Sequence, residues 1–199
     1  MVISGGFRVL GAAIAGLALV ASLTACSGGL GSSSTSVGQV GAGSTQVAVG
    51  ITEISAADRQ AMPALSGTTL QGKALSASYK GHVTVVNLWG AWCTNCQEEA
   101  ASLAETYDKY RAKGVQFLGI DTQDNAAAAL AYDARFAVHY PSLQDPDETL
   151  ALALDKIVPV TDVPSTLVID AQGRVAVRAL GAITEPELIK ELGYVQSSG

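Results

Sequence analysis

From residue 82 onward, the chain alternates between strand-type and helix-type patterns of apolar residues. His82–Leu88 and Val115–Ile120 are short, mostly apolar runs, which predict buried strands. Gln97–Lys113 has apolar residues at helical spacing and ends at Gly114, and Asn125–Phe136 predicts an alanine-rich helix. Because strands that are separated by helices usually pair in parallel, this region predicts two βα units of a parallel sheet.

The following region predicts a β-hairpin between two further helices. Leu150–Leu154 predicts a short helix, and Ser165–Ile169 and Val175–Leu180 predict strands joined by a turn at residues 170–173. A final helix is predicted over residues 184–192. The hairpin strands pair antiparallel, so we predict an α/β fold with a mixed central β-sheet and helices on both of its faces.

Residues 52–80 give a mixed pattern. A polar, helix-like piece precedes Pro63, and two short edge strands are expected on either side of Gly72, where a tight turn fits. These strands would form a short N-terminal β extension of the fold.

The first 25 residues have the pattern of a targeting segment. Arg8 is their only charged residue, and an apolar stretch follows it from Val9 to Val20, shorter than the ~20 residues that span a bilayer. The segment ends in Leu23-Thr24-Ala25-Cys26, which resembles the lipobox of bacterial lipoproteins. The resemblance implies that residues 1–25 are a lipoprotein-type signal peptide and that Cys26 carries lipid. An ordinary secretory signal or a short membrane anchor is the alternative.

The rest of the chain divides by composition into a linker and one domain. Residues 26–50 are rich in glycine and serine and cannot bury a core, so they predict a flexible linker. Residues 51–199 have the length of one domain. Without Arg8, the 12 basic and 18 acidic residues of the chain become 11 and 18, a net charge of −7. This acidic balance, with no basic patch, argues against nucleic-acid binding.

The most specific chemical signal is Trp92-Cys93-Thr94-Asn95-Cys96, between a predicted strand and a predicted helix. The first cysteine lies at a helix N-terminus, where unpaired N–H groups and the helix dipole favour a thiolate. The second cysteine lies one turn further on and can reach back to the first. Because a thiolate is the nucleophile of disulfide exchange, this arrangement predicts a redox-active Cys93–Cys96 pair.

Other roles for the two cysteines fit less well. A zinc site needs four ligands, and the chain offers only His82 and His139 and no second cysteine pair. A haem attachment motif requires histidine after Cys96, where Gln97 stands. A structural disulfide with so short a loop would constrain little of the unfolded chain. We therefore predict no metal site.

The order of elements and three motifs resemble the thioredoxin fold, and within it the TlpA/ResA-like branch of membrane-anchored, extracytoplasmic thiol–disulfide oxidoreductases. The motifs are Val85 to Cys96 together with Glu99, Val163-Pro164-Ser165-Thr166, and Asp170-Ala171-Gln172-Gly173-Arg174-Val175. The similarity spans about residues 70–192. It implies a thioredoxin fold and disulfide chemistry outside the cytoplasm, with the redox-active disulfide as the only cofactor.

The resemblance also implies roles for the residues around the cysteines. Cys93 is expected to be the attacking thiol and Cys96 the resolving thiol. Pro164 matches a cis-proline that faces the cysteines and leaves the Val163 backbone free to pair with a substrate strand. Trp92 is expected to shield the site, and an ordinary core tryptophan is the alternative.

Three further residues are expected to tune the thiols. Glu99 follows Cys96 by three residues, near the same helix face, and the resemblance implies that it transfers protons and raises the thiol pKa. Complementing the helix dipole is its alternative role. Asn87 stands where many thioredoxins bury an aspartate, which leaves Glu99 as the expected proton-transfer group. Asn95 replaces a proline that most relatives have, so the redox potential of the family does not carry over.

Three functions remain open from the sequence. The first is a lipid-anchored reductase of disulfides in exported proteins, for which the resemblance implies apocytochrome c as a client and a membrane thiol donor as the electron source. The second is an oxidase that forms disulfides with the same residues. The third is a copper-delivery or other metal-binding module, which the tight cysteine spacing disfavours. A peroxidase is disfavoured because no Pro-x-x-x-Thr-x-x-Cys pattern leads to Cys93. We expect the protein to be monomeric.

Overall fold

The strands of residues 50–199 form one six-stranded sheet and one two-stranded hairpin. The structure is a computed structural model, and it describes residues 50–199. The predicted signal peptide, the lipid-bearing Cys26 and the linker up to residue 49 lie outside the described residues.

Eight strands and four α-helices make up residues 50–199. The strands are β1 Gly50–Glu53, β2 Ser66–Thr68, β3 Ala74–Ser76, β4 Thr84–Trp89, β5 Gln116–Thr122, β6 Ser142–Asp145, β7 Ser165–Ile169 and β8 Val175–Leu180. The helices are α1 Thr94–Tyr110, α2 Ala126–Phe136, α3 Thr149–Ala153 and α4 Glu185–Ser197, and one 3-10 turn, Arg111–Lys113, follows α1.

The central sheet has the strand order β1-β8-β7-β4-β5-β6. Strands β4, β5 and β6 are parallel to one another, whereas β7 pairs antiparallel with both β4 and β8. β1 adds an antiparallel edge to β8. The predicted mixed sheet is therefore confirmed.

Two hydrophobic clusters cover the two faces of this sheet. On one face, α1, α2 and α4 pack through side chains such as Leu103, Tyr132 and Leu192. On the other face, α3 and the segment before β2 pack through Ala151 and Leu65. All six residues of β4 are buried between the two clusters. Helices thus lie on both faces, as a thioredoxin fold requires, and the end of β4 is held rigidly from either side.

The N-terminal part differs from its prediction. The helix-like piece before Pro63 is not helical, because residues 50–53 pair with β8 and residues 56–58 form a turn. The two strands around Gly72 are present, but they pair with each other as a hairpin, which meets the central sheet only through an isolated bridge between Thr69 and Leu143 of β6. Gly72 has a φ of 75°, the left-handed conformation that favours glycine in such a turn. The β extension of the central sheet is therefore β1.

Candidate active site

The Cys-x-x-Cys segment lies where β4 ends and α1 begins. The helix starts at Thr94, three residues before the predicted start, so that Cys93 is its N-cap and Cys96 lies in its first turn. Cys93 Sγ accepts a hydrogen bond from the Cys96 N–H at 3.2 Å. A helix start leaves its first N–H groups without intrahelical partners, and here one of them is directed at the sulfur. The same contact would stabilise a thiolate on Cys93.

Cys93 and Cys96 form a disulfide, with their Cα atoms 5.2 Å apart. Cys93 keeps 6 % of its surface exposed, whereas Cys96 has none. An approaching disulfide can therefore touch only the Cys93 sulfur. This asymmetry suits an attacking Cys93 and a resolving Cys96.

The loop before β7 borders the disulfide. The Val163–Pro164 peptide bond is cis, and the Val163 carbonyl oxygen lies 3.8 Å from Cys93 Sγ. Pro164 is buried, while Val163 is partly exposed. The backbone of Val163 therefore lies where an extended substrate segment would pass over the disulfide.

Trp92 lies at the surface beside the disulfide. It is 53 % exposed, its ring lies over Gly90, and its Nε1 donates to the Thr122 carbonyl oxygen at 3.0 Å. The core tryptophan is Trp89, which is 2 % exposed and stacks on Tyr132 with ring centroids 4.3 Å apart. A core role for Trp92 is therefore wrong, and its ring offers apolar surface next to the reactive sulfur.

Glu99 is a buried carboxyl group one helical turn beyond Cys96. It is 2 % exposed, and its two oxygens accept hydrogen bonds from Asn87 Nδ2 at 2.8 Å and from the Ile183 N–H at 2.9 Å. Burial raises the pKa of Glu99 to about 8, although both hydrogen bonds oppose this rise. Since Glu99 lies beyond the first turn of α1, where the helix dipole acts most, its burial fits proton transfer better than dipole compensation.

Asn87 holds Glu99 in place from β4. Its Nδ2 also lies 3.2 Å from Thr166 Oγ1 on β7, and the residue is 3 % exposed. The amide thereby joins the glutamate to the strand that follows Pro164. Asn95, in the first turn of α1, is partly exposed.

Replacing Glu99 with glutamine should change how stability depends on pH. The pKa of Glu99 is about 8 in the folded state and has an ordinary value of 4.5, so the folded protein binds this proton more tightly. Glu99 therefore stabilises the fold fully below pH 4.5, and this stabilisation is lost as the pH rises from 4.5 to 8. Glutamine cannot ionise, so we expect the variant to lose less free energy of unfolding than the wild type between pH 5 and pH 8, measured by urea unfolding.

Two other acidic residues, Asp121 and Glu98, bear on how the pH dependence of unfolding is interpreted. Burial, with smaller effects from Asp124, Asp133 and Asp145, raises the pKa of Asp121 to about 8 as well, so the variant keeps part of the slope. Glu98, the exposed neighbour of Glu99, provides the control, because Glu98→Gln makes the same substitution at the surface of the same helix and not at a buried position. Equal slopes for the Glu99 variant and the wild type would contradict the prediction.

Side chains outside the motif complete the site. Gln97 Nε2 donates to the Ala91 carbonyl oxygen at 2.9 Å, and Asp124 Oδ2 accepts from the Ala91 N–H at 2.8 Å. The Tyr132 hydroxyl donates to the Cys96 carbonyl oxygen at 2.6 Å. The contacts of Asp124 and Tyr132 arise from the packing of α2 and its preceding loop, so the spacing of residues does not predict them. Gln97 lies on α1 itself, and its contact depends on the conformation of the turn before that helix. No local pattern marks them.

Two features are absent from residues 50–199, a cluster of metal ligands and a membrane-spanning helix. No three histidine, cysteine, aspartate or glutamate side chains of this range lie close enough together to hold a metal ion. None of the helices in the same range has the length and hydrophobicity needed to cross a lipid bilayer.

The chain is similar in sequence to bacterial proteins named as thiol-disulfide oxidoreductases. The thiol-disulfide oxidoreductase ResA of Bacillus cereus is 28 % identical over 130 residues, which cover 65 % of this chain and 71 % of that protein. The ResA of Bacillus subtilis is 28 % identical over 115 residues, which cover 57 % of this chain and 62 % of that protein.

Solved structures agree with these relatives. A secreted thiol-disulfide isomerase from Corynebacterium glutamicum has a TM-score of 0.68 and 29 % identity, covering 73 % of this chain and 92 % of that one. A DsbF homologue from Corynebacterium diphtheriae has a TM-score of 0.67 and 29 % identity, covering 72 % of this chain and 92 % of that one. The thioredoxin fold and the TlpA/ResA-like resemblance are thereby confirmed.

The match to a protein family covers more than half of the chain. The AhpC/TSA family is matched over residues 59–178, a range that includes both cysteines, Glu99 and Pro164. Together with the relatives and the geometry of the site, this match shows that the chain belongs to the AhpC/TSA family and is a thiol–disulfide oxidoreductase with the pair Cys93 and Cys96.

Proposed function

We propose that the protein reduces disulfides of exported proteins outside the cytoplasm, where lipid on Cys26 anchors it to the membrane. The observation that carries the reducing direction is that, among the described residues, the chain segments bordering the disulfide carry no cationic side chain. Within the described chain, the segments that frame it, residues 89–99, 121–125 and 160–166, contain aspartate and glutamate but no lysine, arginine or histidine.

The electrostatics of this environment favour a reductant. A strong oxidant such as DsbA owes its potential to a stabilised reduced form with a low thiol pKa. Here the helix start favours the Cys93 thiolate, and no lysine, arginine or histidine of the bordering segments adds to it. Glu99 opposes the thiolate only when it is ionised, and its pKa of about 8 means that most of it is protonated at neutral pH. A less stabilised thiolate means a less stable reduced form, and so a lower reduction potential.

The reaction follows from the exposure of the two cysteines. The Cys93 thiolate attacks a client disulfide, a mixed disulfide forms, and the first client sulfur leaves as a thiolate. Ionised Glu99 takes the proton of Cys96, whose sulfur then attacks Cys93 Sγ and releases the second client thiolate. Two electrons pass to the client, and the Cys93–Cys96 disulfide remains. A membrane thiol donor then reduces it.

The client is proposed from the surface around Cys93 and from the family resemblance. An extended client segment would pair with the Val163 backbone and rest against the exposed ring of Trp92. The TlpA/ResA-like resemblance supports apocytochrome c as the client, since its haem-binding cysteines must be reduced.

The reduction potential of the Cys93–Cys96 pair tests the direction. The chain without residues 1–26 is equilibrated with thiol buffers of known potential, and free thiols are trapped and counted. A value near or below about −270 mV, that of thioredoxin, supports the reductase. A value near about −120 mV, that of DsbA, would make the protein an oxidase.

A further inference from the structure

The turn that presents Cys93 is held by side chains from two neighbouring elements. The Cys93 N–H donates to the Gly90 carbonyl oxygen at 3.0 Å, which closes a turn over residues 90–93. Inside this turn, Asp124 Oδ2 accepts from the Ala91 N–H at 2.8 Å, and Gln97 Nε2 donates to the Ala91 carbonyl oxygen at 2.9 Å. Both polar backbone groups of Ala91 are therefore fixed by side chains.

The last residue of β5, directly before the loop to α2, reaches the same turn at a second point. The Thr122 carbonyl oxygen accepts from Trp92 Nε1 at 3.0 Å. Gln123 has a φ of 53°, a left-handed backbone that non-glycine residues seldom adopt unless surrounding contacts impose it. The Gln123 N–H donates to the Asp145 carbonyl oxygen on β6 at 3.2 Å, which holds this conformation. The fixed backbone at Gln123 directly precedes Asp124, whose carboxylate binds the Ala91 N–H.

We infer that Asp124 is a positioning residue for disulfide exchange, because its carboxylate holds the Ala91 N–H and thereby the turn that aims Cys93 at the client disulfide. The inference rests on exchange through Cys93 and Cys96, and not on the direction in which electrons flow. Its failure would therefore leave the reductase proposal intact, and an oxidising potential would leave the inference intact.

A carboxylate at this place has two separable effects. As an acceptor it forms a charge-assisted hydrogen bond, which is stronger than a neutral one and fixes the turn. As a negative charge near the cysteines it disfavours the Cys93 thiolate and raises the thiol pKa. Asparagine keeps an acceptor oxygen without the charge, and alanine removes both, so two variants separate the two effects.

The test compares Asp124→Asn and Asp124→Ala by the rate at which the reduced protein cleaves the disulfides of insulin. Because misplacing a reacting group is costly, we expect Asp124→Ala to lower this rate constant about tenfold and Asp124→Asn to stay within about twofold of the wild type. The pH dependence of the reaction with 2,2′-dithiodipyridine gives the Cys93 pKa, which should fall in both variants. Equal rates for the two variants would overturn the inference.

Asn125 provides a matched control for damage to α2. Its Oδ1 accepts from the Ala128 N–H at 3.1 Å and so caps the helix, without touching the turn. Asn125→Ala should lower thermal stability and leave the insulin rate unchanged. If it slows the reaction as much as Asp124→Ala does, the effect belongs to the helix, and the inference is wrong.

Gln97 allows a second test, since it hydrogen-bonds the Ala91 carbonyl oxygen while Asp124 binds the N–H group of the same residue. When two side chains hold one backbone segment, their effects are not additive. We therefore expect the double variant Asp124→Ala, Gln97→Ala to be little slower than the slower single variant. Fully additive losses would show that the two residues act independently and would contradict a shared role in holding the turn.

Discussion

Replacing Cys93 with serine should abolish disulfide exchange. The hydroxyl group does not ionise at neutral pH, so no nucleophile remains at the start of α1, and Cys96 cannot take over because it has no exposed surface. The measurement is insulin reduction with dithiothreitol as the electron source, in which the variant should not exceed the rate of dithiothreitol alone.

Replacing Cys96 with serine should instead trap an intermediate. Cys93 still attacks the client, but nothing inside the protein resolves the mixed disulfide. Mass spectrometry should detect a covalent adduct between the Cys96→Ser variant and insulin chains, and none with the Cys93→Ser variant. Adducts in the reverse pattern would exchange the roles of the two cysteines.

Replacing Arg59 with alanine should destabilise the fold by up to about 3–5 kcal/mol, the range for removing one partner of a buried ion pair, since Arg174 still pairs with Asp170 in the variant. The Arg59 side chain is fully buried, and its Nη1 lies 3.1 Å from Asp170 Oδ2. Its other donors reach the Ile54 carbonyl oxygen and Ser198 Oγ. One guanidinium group thereby joins the loop after β1, the β7–β8 turn and the C-terminus of α4. Urea unfolding at pH 7 measures the loss.

Arg174 is the matched control for Arg59. It also binds Asp170, at 3.0 Å, but its side chain is 34 % exposed, so water can replace part of its contact. Arg174→Ala should therefore cost less than Arg59→Ala, and an equal or larger cost would contradict the assignment of Arg59 as the main link. Both costs matter, since a whole domain is stable by only about 5–15 kcal/mol.

The same ion pairs contribute to the stability of the fold in acid. Burial opposes the ionisation of Asp170, but hydrogen bonds from the Arg174 backbone and from both guanidinium groups outweigh it, so its pKa lies below the ordinary 3.8. A carboxylate with a lowered pKa stabilises the fold above its unfolded pKa, and this part is lost as the pH falls through the folded value.

The sequence predicted the central strands well because each has its own local signal. β4, β5, β7 and β8 are apolar runs bounded by turns or helices, and their observed limits lie within two residues of the predicted ones. β6 was not predicted, since its four residues Ser142–Asp145 lie between two prolines and have no strand pattern. They form a strand because they pair in parallel with the edge of β5, a long-range contact that no local window contains.

The residues of the site likewise fall into those that local spacing predicts and those that depend on long-range packing. Cys93, Cys96 and Glu99 share one helix, so their spacing alone places them together. The contacts of Asp124 and Tyr132 depend on how α2 and its loop pack on α1, which the spacing of residues does not determine. Trp89 is the last residue of β4 and is buried, whereas Trp92 lies in the turn that follows and is exposed. The sequence alone does not show which of the two tryptophans is buried.

The unequal exposure of the two sulfurs also determines which molecules can interrupt the reaction. Soluble thiols, oxidants and alkylating reagents from the surroundings meet Cys93 but not Cys96. Once a client is joined to Cys93, the nearest nucleophile is the buried thiol of Cys96. Its attack is intramolecular, so its rate does not depend on the protein concentration. Each client is therefore released by the protein itself before a second one can enter, and the order of events is imposed by access and not by the concentration of small thiols outside.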